Sequence, residues 1–88
     1  MTDEVFYGKF TALLQEIRPA LSFAELTPDT HLWVAGYLDS LAMLEVIFFL
    51  EETLGKELDL NGDFLPTFYT MRSIYEHHVL AAFPAAAE

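Results

Sequence analysis

Apolar residues at helical spacing occupy the middle of this 88-residue chain, and they constrain its fold more than any other feature. The pattern is clearest over residues 40–54, and Gly55 follows it as a typical helix stop. At 100° per residue, one side of this predicted helix is apolar and would face a core. That side carries Met43, Val46, Ile47, Leu50 and Leu54.

A first helix is predicted from about residue 3 to residue 18. Thr2 can cap it, and Pro19 ends it because the residue before proline is pushed out of helical geometry. Its apolar stripe consists of Phe6, Phe10, Leu13, Leu14 and Ile17.

A last helix is predicted from Thr70 to about residue 82, after one short helical turn at residues 63–65. No segment shows a clear strand pattern. The sequence therefore predicts an all-α protein, a small bundle of three main helices and a short fourth element. Its length indicates one domain, residues 1–88, with a frayed tail at about 83–88.

A long ordered loop is predicted between the first two helices, with a turn at residues 27–30. Loops of this length are uncommon unless they have a function. We expect its apolar residues to anchor it over the core. They are Leu21, Phe23, Leu26, Leu32, Trp33 and Val34.

The composition excludes several kinds of protein. A net charge of −10 repels nucleic-acid phosphates and anionic lipids, and it favours partners with basic patches. The absence of cysteine excludes disulfides and thiolate chemistry. No apolar run reaches membrane-spanning length, and the N-terminus lacks a signal-peptide pattern. We expect a cytoplasmic monomer that binds neither nucleic acid nor membrane. Its small size favours a binding role over an enzyme.

The run Gly36-x-x-Asp39-Ser40-Leu41 leads directly into the second predicted helix. A serine at this position could simply be the N-cap, with its hydroxyl bonded to a backbone amide. The outer face of the helix carries Leu41, Glu45, Phe48 and Glu52, which suggests a docking surface of mixed apolar and acidic character. The alternative is that Phe48 packs under a neighbouring segment.

This motif and the helix after it, which ends in Leu54-Gly55, resemble acyl carrier and peptidyl carrier proteins over about residues 5–82. The resemblance implies that Ser40 bears a 4′-phosphopantetheine arm and that Asp39 helps a phosphopantetheinyl transferase and its metal engage the site. It also implies that Leu41, Glu45 and Phe48 face partner enzymes. The carrier itself would perform no catalysis, because the reactive thiol belongs to the arm.

Two departures from fatty-acid carriers indicate the cargo. Tyr37 and Leu38 stand between the glycine and the Asp-Ser pair where many such carriers have one residue, and Ala42 stands where an acidic residue is frequent. The chain is more similar to free-standing carriers of an amino acid or a small acyl unit. We therefore expect loading by an adenylating enzyme or acyltransferase and delivery to a synthase of polyketide or nonribosomal-peptide type. The alternatives are a fatty-acid carrier and a non-covalent helical adaptor.

Other candidate sites are weaker. His31, His77 and His78 could serve a metal site or a Ser-His-Asp triad, but adjacent helical histidines diverge by about 100° and the context of a nucleophile elbow is absent. Three acidic or amide side chains faintly resemble a calcium loop that lacks its closing glutamate. They are Asp59, Asn61 and Asp63.

Overall fold

The computed structural model describes residues 2–58, 60, 62 and 64–80, and every regular element in that part of the chain is helical. This confirms the predicted all-α fold. The predictions for the tail and for Asp59, Asn61 and Asp63 lie outside the described residues. In chain order the elements are α1 (Asp3–Ile17), α2 (Ser40–Leu54), a 3₁₀ helix (Leu65–Phe68), α3 (Met71–Ile74) and a π-helical turn (Tyr75–Val79) that continues α3.

Helix α1 begins and ends as its sequence predicts. The Thr2 side chain accepts a hydrogen bond from the Val5 N–H group, and two acidic residues occupy the first turn, where they favour the positive end of the helix dipole. Arg18 is the C-cap, and its N–H group donates to the Leu14 carbonyl. The helix therefore ends next to Pro19.

Helix α2 spans the predicted residues and ends at Gly55, whose φ of 71° is the left-handed conformation that glycine adopts at low cost. Four of its five predicted core residues are buried, and Ile47 is half-buried. The N-cap is Asp39 rather than Ser40.

The last helical segment starts at the predicted cap, since the Thr70 side chain accepts a hydrogen bond from the Ser73 N–H group at 3.0 Å. Its second half is π-helical, and the Leu80 N–H group donates to the Tyr75 carbonyl. The short turn predicted at residues 63–65 is displaced, since the structure has a 3₁₀ helix at Leu65–Phe68 that contains Pro66 in its first turn, and residue 63 lies outside the described residues. Proline is tolerated there because backbone N–H groups in the first turn of a helix have no intrahelical partner, so the N–H that proline lacks is not needed.

An aromatic cluster joins α1, α2 and the last helical segment. The Phe6 ring centroid lies 5.7 Å from that of Tyr75 and 6.3 Å from that of Phe49, while Phe10 lies 6.3 Å from Phe49. Phe6 and Phe10 are fully buried. The core therefore fixes which face of α2 points inward.

The long loop before α2 is attached to the second half of the protein. The Leu32 N–H group donates to the Tyr69 carbonyl at 2.7 Å, and the Trp33 indole N–H donates to the Phe68 carbonyl at 3.3 Å. Two loop residues predicted as anchors are not anchors. Val34 is 82% exposed and Leu21 is 39% exposed.

Val34 points outward because residues 31–36 form a tight turn. The Ala35 N–H donates to the His31 carbonyl, and the Gly36 N–H donates to the Trp33 carbonyl. Once Leu32 and Trp33 face inward, the next side chain in such a turn must face water. The prediction for the remaining anchors is confirmed, since Leu32 is buried and Phe23, Leu26 and Trp33 are half-buried.

Candidate functional site

The backbone that leads to Ser40 is held firmly. Tyr37 and Leu38 are buried, and both of their N–H groups donate to the Leu32 carbonyl, at 2.8 and 3.1 Å. Gly36 has a φ of 88°, which side-chain-bearing residues rarely adopt. These contacts fix where α2 begins and therefore fix the position of Ser40.

Ser40 is the first residue of α2 and is exposed. The Asp39 side chain caps the helix by accepting a hydrogen bond from the Ala42 N–H group at 2.9 Å. Among the described residues, no hydrogen bond engages the Ser40 hydroxyl. The alternative in which Ser40 is the N-cap is therefore wrong, because Asp39 already occupies that role. The hydroxyl is left open to solvent.

The Asp39 carboxylate is held from two directions. One oxygen accepts the bond from Ala42, and the other pairs with the Nη2 group of Arg18. The hydrogen bond from the Ala42 N–H and then the bond from Arg18 lower the pKa of Asp39 below its ordinary value. Asp39, the residue before Ser40, therefore carries an ionised carboxylate at neutral pH.

The sequence did not indicate Arg18 as part of this site. It lies 21 residues before Asp39 and reaches it only because the loop returns to the end of α1. The one available signal is that Arg18 is among only four basic residues in the chain.

The outer face of α2 is exposed, as predicted. Leu41 is 77% exposed and Phe48 is 62% exposed, and Glu45 and Glu52 are exposed beside them. Phe48 is therefore not packed under any of the segments that the structure describes. Leu44, which the periodicity placed between the two faces, is 52% exposed and belongs to the outer face.

The burial of Ala42 provides a structural reason for the small residue at this position. Ala42 is only 2% exposed, so it lies on the core side of α2 rather than on the outer face. A longer acidic side chain would have to be buried at this position, which carries a large desolvation cost. The packing of this chain therefore accounts for the small residue without reference to a partner.

A surface groove of about 410 Å³ lies between the end of α1 and the start of α2. We call it the α1–α2 groove. A second hollow of about 290 Å³ lies on the same side of the bundle, bordered by Lys9, Glu52 and Phe48. Glu45 and Phe48 line both depressions. The α1–α2 groove is lined by Ile17, Arg18, Asp39, Leu41, Ala42, Leu44, Glu45 and Phe48.

The histidines lie in other local contacts. His31 stacks on Tyr69 with ring centroids 4.6 Å apart. His78 is hydrogen-bonded to the Thr67 hydroxyl at 2.8 Å, and burial, followed by the charge of His77, lowers its pKa.

Neither a metal site nor a triad is assembled in the described part of the chain. Residues 2–58, 60, 62 and 64–80 contain no group of three metal-ligating side chains, and no hydrogen bond there joins a histidine to Ser40. None of the described helices is long and apolar enough to cross a bilayer.

Comparison of the chain with protein-family models, with curated proteins and with solved structures found no match.

Proposed function

We propose that this chain is a free-standing carrier protein that bears a 4′-phosphopantetheine arm on Ser40. The observation that carries the proposal is an exposed, unengaged serine hydroxyl at the first position of α2, next to an ionised Asp39 and at the end of a firmly held loop. A structural capping serine would have its hydroxyl bonded to the helix, and this one does not.

The residues present fit such an arm. The hydroxyl is accessible to a transferase, and the N-terminal end of a helix favours a negatively charged group. In the attachment step, the Ser40 oxygen forms a bond to the phosphorus nearest the pantetheine of coenzyme A. The phosphoanhydride bond breaks, the adenosine-containing phosphate leaves, and the hydroxyl proton passes to a base of the transferase. Asp39 offers that enzyme a carboxylate that stays ionised at neutral pH. Once attached, the arm supplies a thiol that holds the cargo as a thioester.

The outer face of α2 is the surface that we assign to partner enzymes. Leu41 and Phe48 provide apolar area near Ser40, while Glu45 and Glu52 lie around them. Large aromatic side chains in such positions often dominate binding energy, and rim charges mainly accelerate encounter. Phe48→Ala should weaken binding to the transferase by about 1–2 kcal/mol.

Salt provides an independent check on this surface. Raising ionic strength should slow association of the wild-type protein with the transferase, because the acidic rim is screened. A Glu45→Gln/Glu52→Gln variant should be slower at low salt and less sensitive to salt. Equal rates for both proteins at every salt concentration would contradict the role of these two glutamates.

We further propose an aminoacyl or small acyl cargo, used in assembly of polyketide or nonribosomal-peptide type. The support is that two residues, Tyr37 and Leu38, separate Gly36 from Asp39. Ala42 is not used as support, because packing explains the small residue there. The test is to offer the arm-bearing protein to adenylating enzymes and acyltransferases encoded near its gene. Loading by long-chain fatty-acid enzymes alone would indicate a fatty-acid carrier instead.

The second candidate function is a non-covalent adaptor. It is favoured by the exposure of Leu41, Leu44 and Phe48, which would provide a docking face without any arm. Intact-mass measurement after incubation with coenzyme A and a phosphopantetheinyl transferase separates the two. The carrier gains the mass of the arm, and the adaptor does not.

A further inference from the structure

Arg18 is the cation that contacts the start of α2. Its Nη2 group donates to the carboxylate of Asp39. The other three basic residues are in the described part of the chain and lie elsewhere. Arg72 is paired with a carboxylate of the loop, Lys9 borders the second hollow, and Lys56 follows the end of α2.

The guanidinium of Arg18 has unused capacity. An arginine side chain carries five N–H donors in a planar fork. Only Nη2 is hydrogen-bonded to a described residue, and Nε is buried without a partner among them. The side chain is 32% exposed, so its outer nitrogen atoms remain accessible to a second anion.

A group attached to Ser40 would begin between two residues that share a groove with Arg18. Asp39 and Leu41 lie on either side of Ser40 in the chain, and both line the α1–α2 groove together with Arg18. A phosphodiester there adds a negative charge beside the ionised Asp39, in a protein whose net charge is already −10. Two adjacent anions repel each other, and a cation shared between them offsets that repulsion.

We propose that Arg18 compensates the charge of a phosphodiester on Ser40 by sharing its guanidinium between that group and Asp39. This inference rests on the carrier function proposed above. It assigns Arg18 a role that neither the serine motif nor the outer face of α2 requires. It also explains why an exposed ion pair joins the end of α1 to the residue before Ser40.

The test measures how attachment of the arm changes stability. Apo and arm-bearing forms of the wild-type protein, Arg18→Gln and Lys9→Gln are unfolded with urea. Lys9→Gln is the matched control, because it removes the same charge from α1 away from Ser40. Attachment of the arm should raise the unfolding equilibrium constant of Arg18→Gln by a factor about three to five times larger than the factor for the wild-type protein or Lys9→Gln. The excess should disappear in about 1 M salt.

A second measurement uses the wild-type protein alone, so it does not depend on the folding of a variant. Attachment of the arm should shift the ¹⁵N resonances of the Arg18 guanidinium and leave those of Arg72 in place. Arg18→Lys keeps the charge but lacks the planar fork, so it should restore only part of the wild-type tolerance of the arm.

The outcomes separate this inference from the carrier proposal. If the arm attaches to wild-type protein but destabilises all three proteins equally, or leaves the Arg18 resonances unshifted, the role of Arg18 is wrong and the carrier function stands. If wild-type protein accepts no arm, the carrier function fails and this inference fails with it.

Discussion

Truncation of Phe48 tests whether the outer face of α2 is independent of the fold. Phe48 is 62% exposed, so about four-tenths of the side chain is removed from water. Full burial of a phenylalanine contributes about 1.5–3 kcal/mol, which scales to about 0.6–1.1 kcal/mol for this fraction. Alanine is the better helix former by about 0.5 kcal/mol, and this offsets part of the loss. We expect Phe48→Ala to lower the free energy of unfolding by less than about 1 kcal/mol.

The assay is urea unfolding followed by circular dichroism, with Phe10→Ala as the control. Phe10 is fully buried in the aromatic cluster, and truncation of such a residue costs about 3–5 kcal/mol. If Phe48→Ala costs more than about 2 kcal/mol, Phe48 supports the core and our assignment of the outer face is wrong.

Three further predictions concern capping, glycine conformation and pH. Ser40→Ala should change the unfolding free energy by less than about 0.5 kcal/mol, whereas Asp39→Ala should clearly destabilise the protein because it removes the cap and the pair with Arg18. Gly8→Ala should stabilise the protein by about 0.5–1 kcal/mol, since Gly8 is an exposed residue of α1 with open space around it. Gly36→Ala should destabilise it by about 1–2 kcal/mol, because a side chain is strained at the φ of 88°. Because burial lowers the pKa of His78 in the folded protein, the unfolded state binds protons first, and stability should fall as pH drops below about 6.5 towards the folded pKa.

Each of these three predictions has a result that would contradict it. Destabilisation by Ser40→Ala equal to that by Asp39→Ala would mean that Ser40 also caps α2. A stabilising Gly36→Ala would mean that the left-handed turn before Ser40 is not required. For the third prediction, urea unfolding between pH 5 and 7 is compared for wild-type protein and His78→Gln. The same pH dependence in both would show that other groups cause it.

Local signals were sufficient to predict the helices. Thr2, Thr70 and Gly55 each act on the backbone within a few residues, so the ends of the helices could be read from the sequence. The π-helical turn at Tyr75–Val79 could not, because nothing in the local pattern distinguishes it from the α-helical turn before it.

The site was predicted only in part. Exposure of Leu41 and Phe48 follows from helical periodicity once the core face is identified. Asp39 and Ser40 are both good capping residues, so the sequence could not decide which one caps α2. The contact with Arg18 across 21 residues depends on the path of the loop. The outward direction of Val34 depends on a turn that has no periodic signal.

The most direct test of the carrier proposal is the site of attachment. Wild-type protein, Ser40→Ala and Ser22→Ala are incubated with coenzyme A and a phosphopantetheinyl transferase, and their intact masses are measured. Ser22 is the matched control, because it is also an exposed serine but lies in the loop. We predict that wild-type protein and Ser22→Ala each gain the mass of one arm and that Ser40→Ala gains none. Absence of the arm from wild-type protein, or its presence on Ser40→Ala, would contradict the assignment of Ser40.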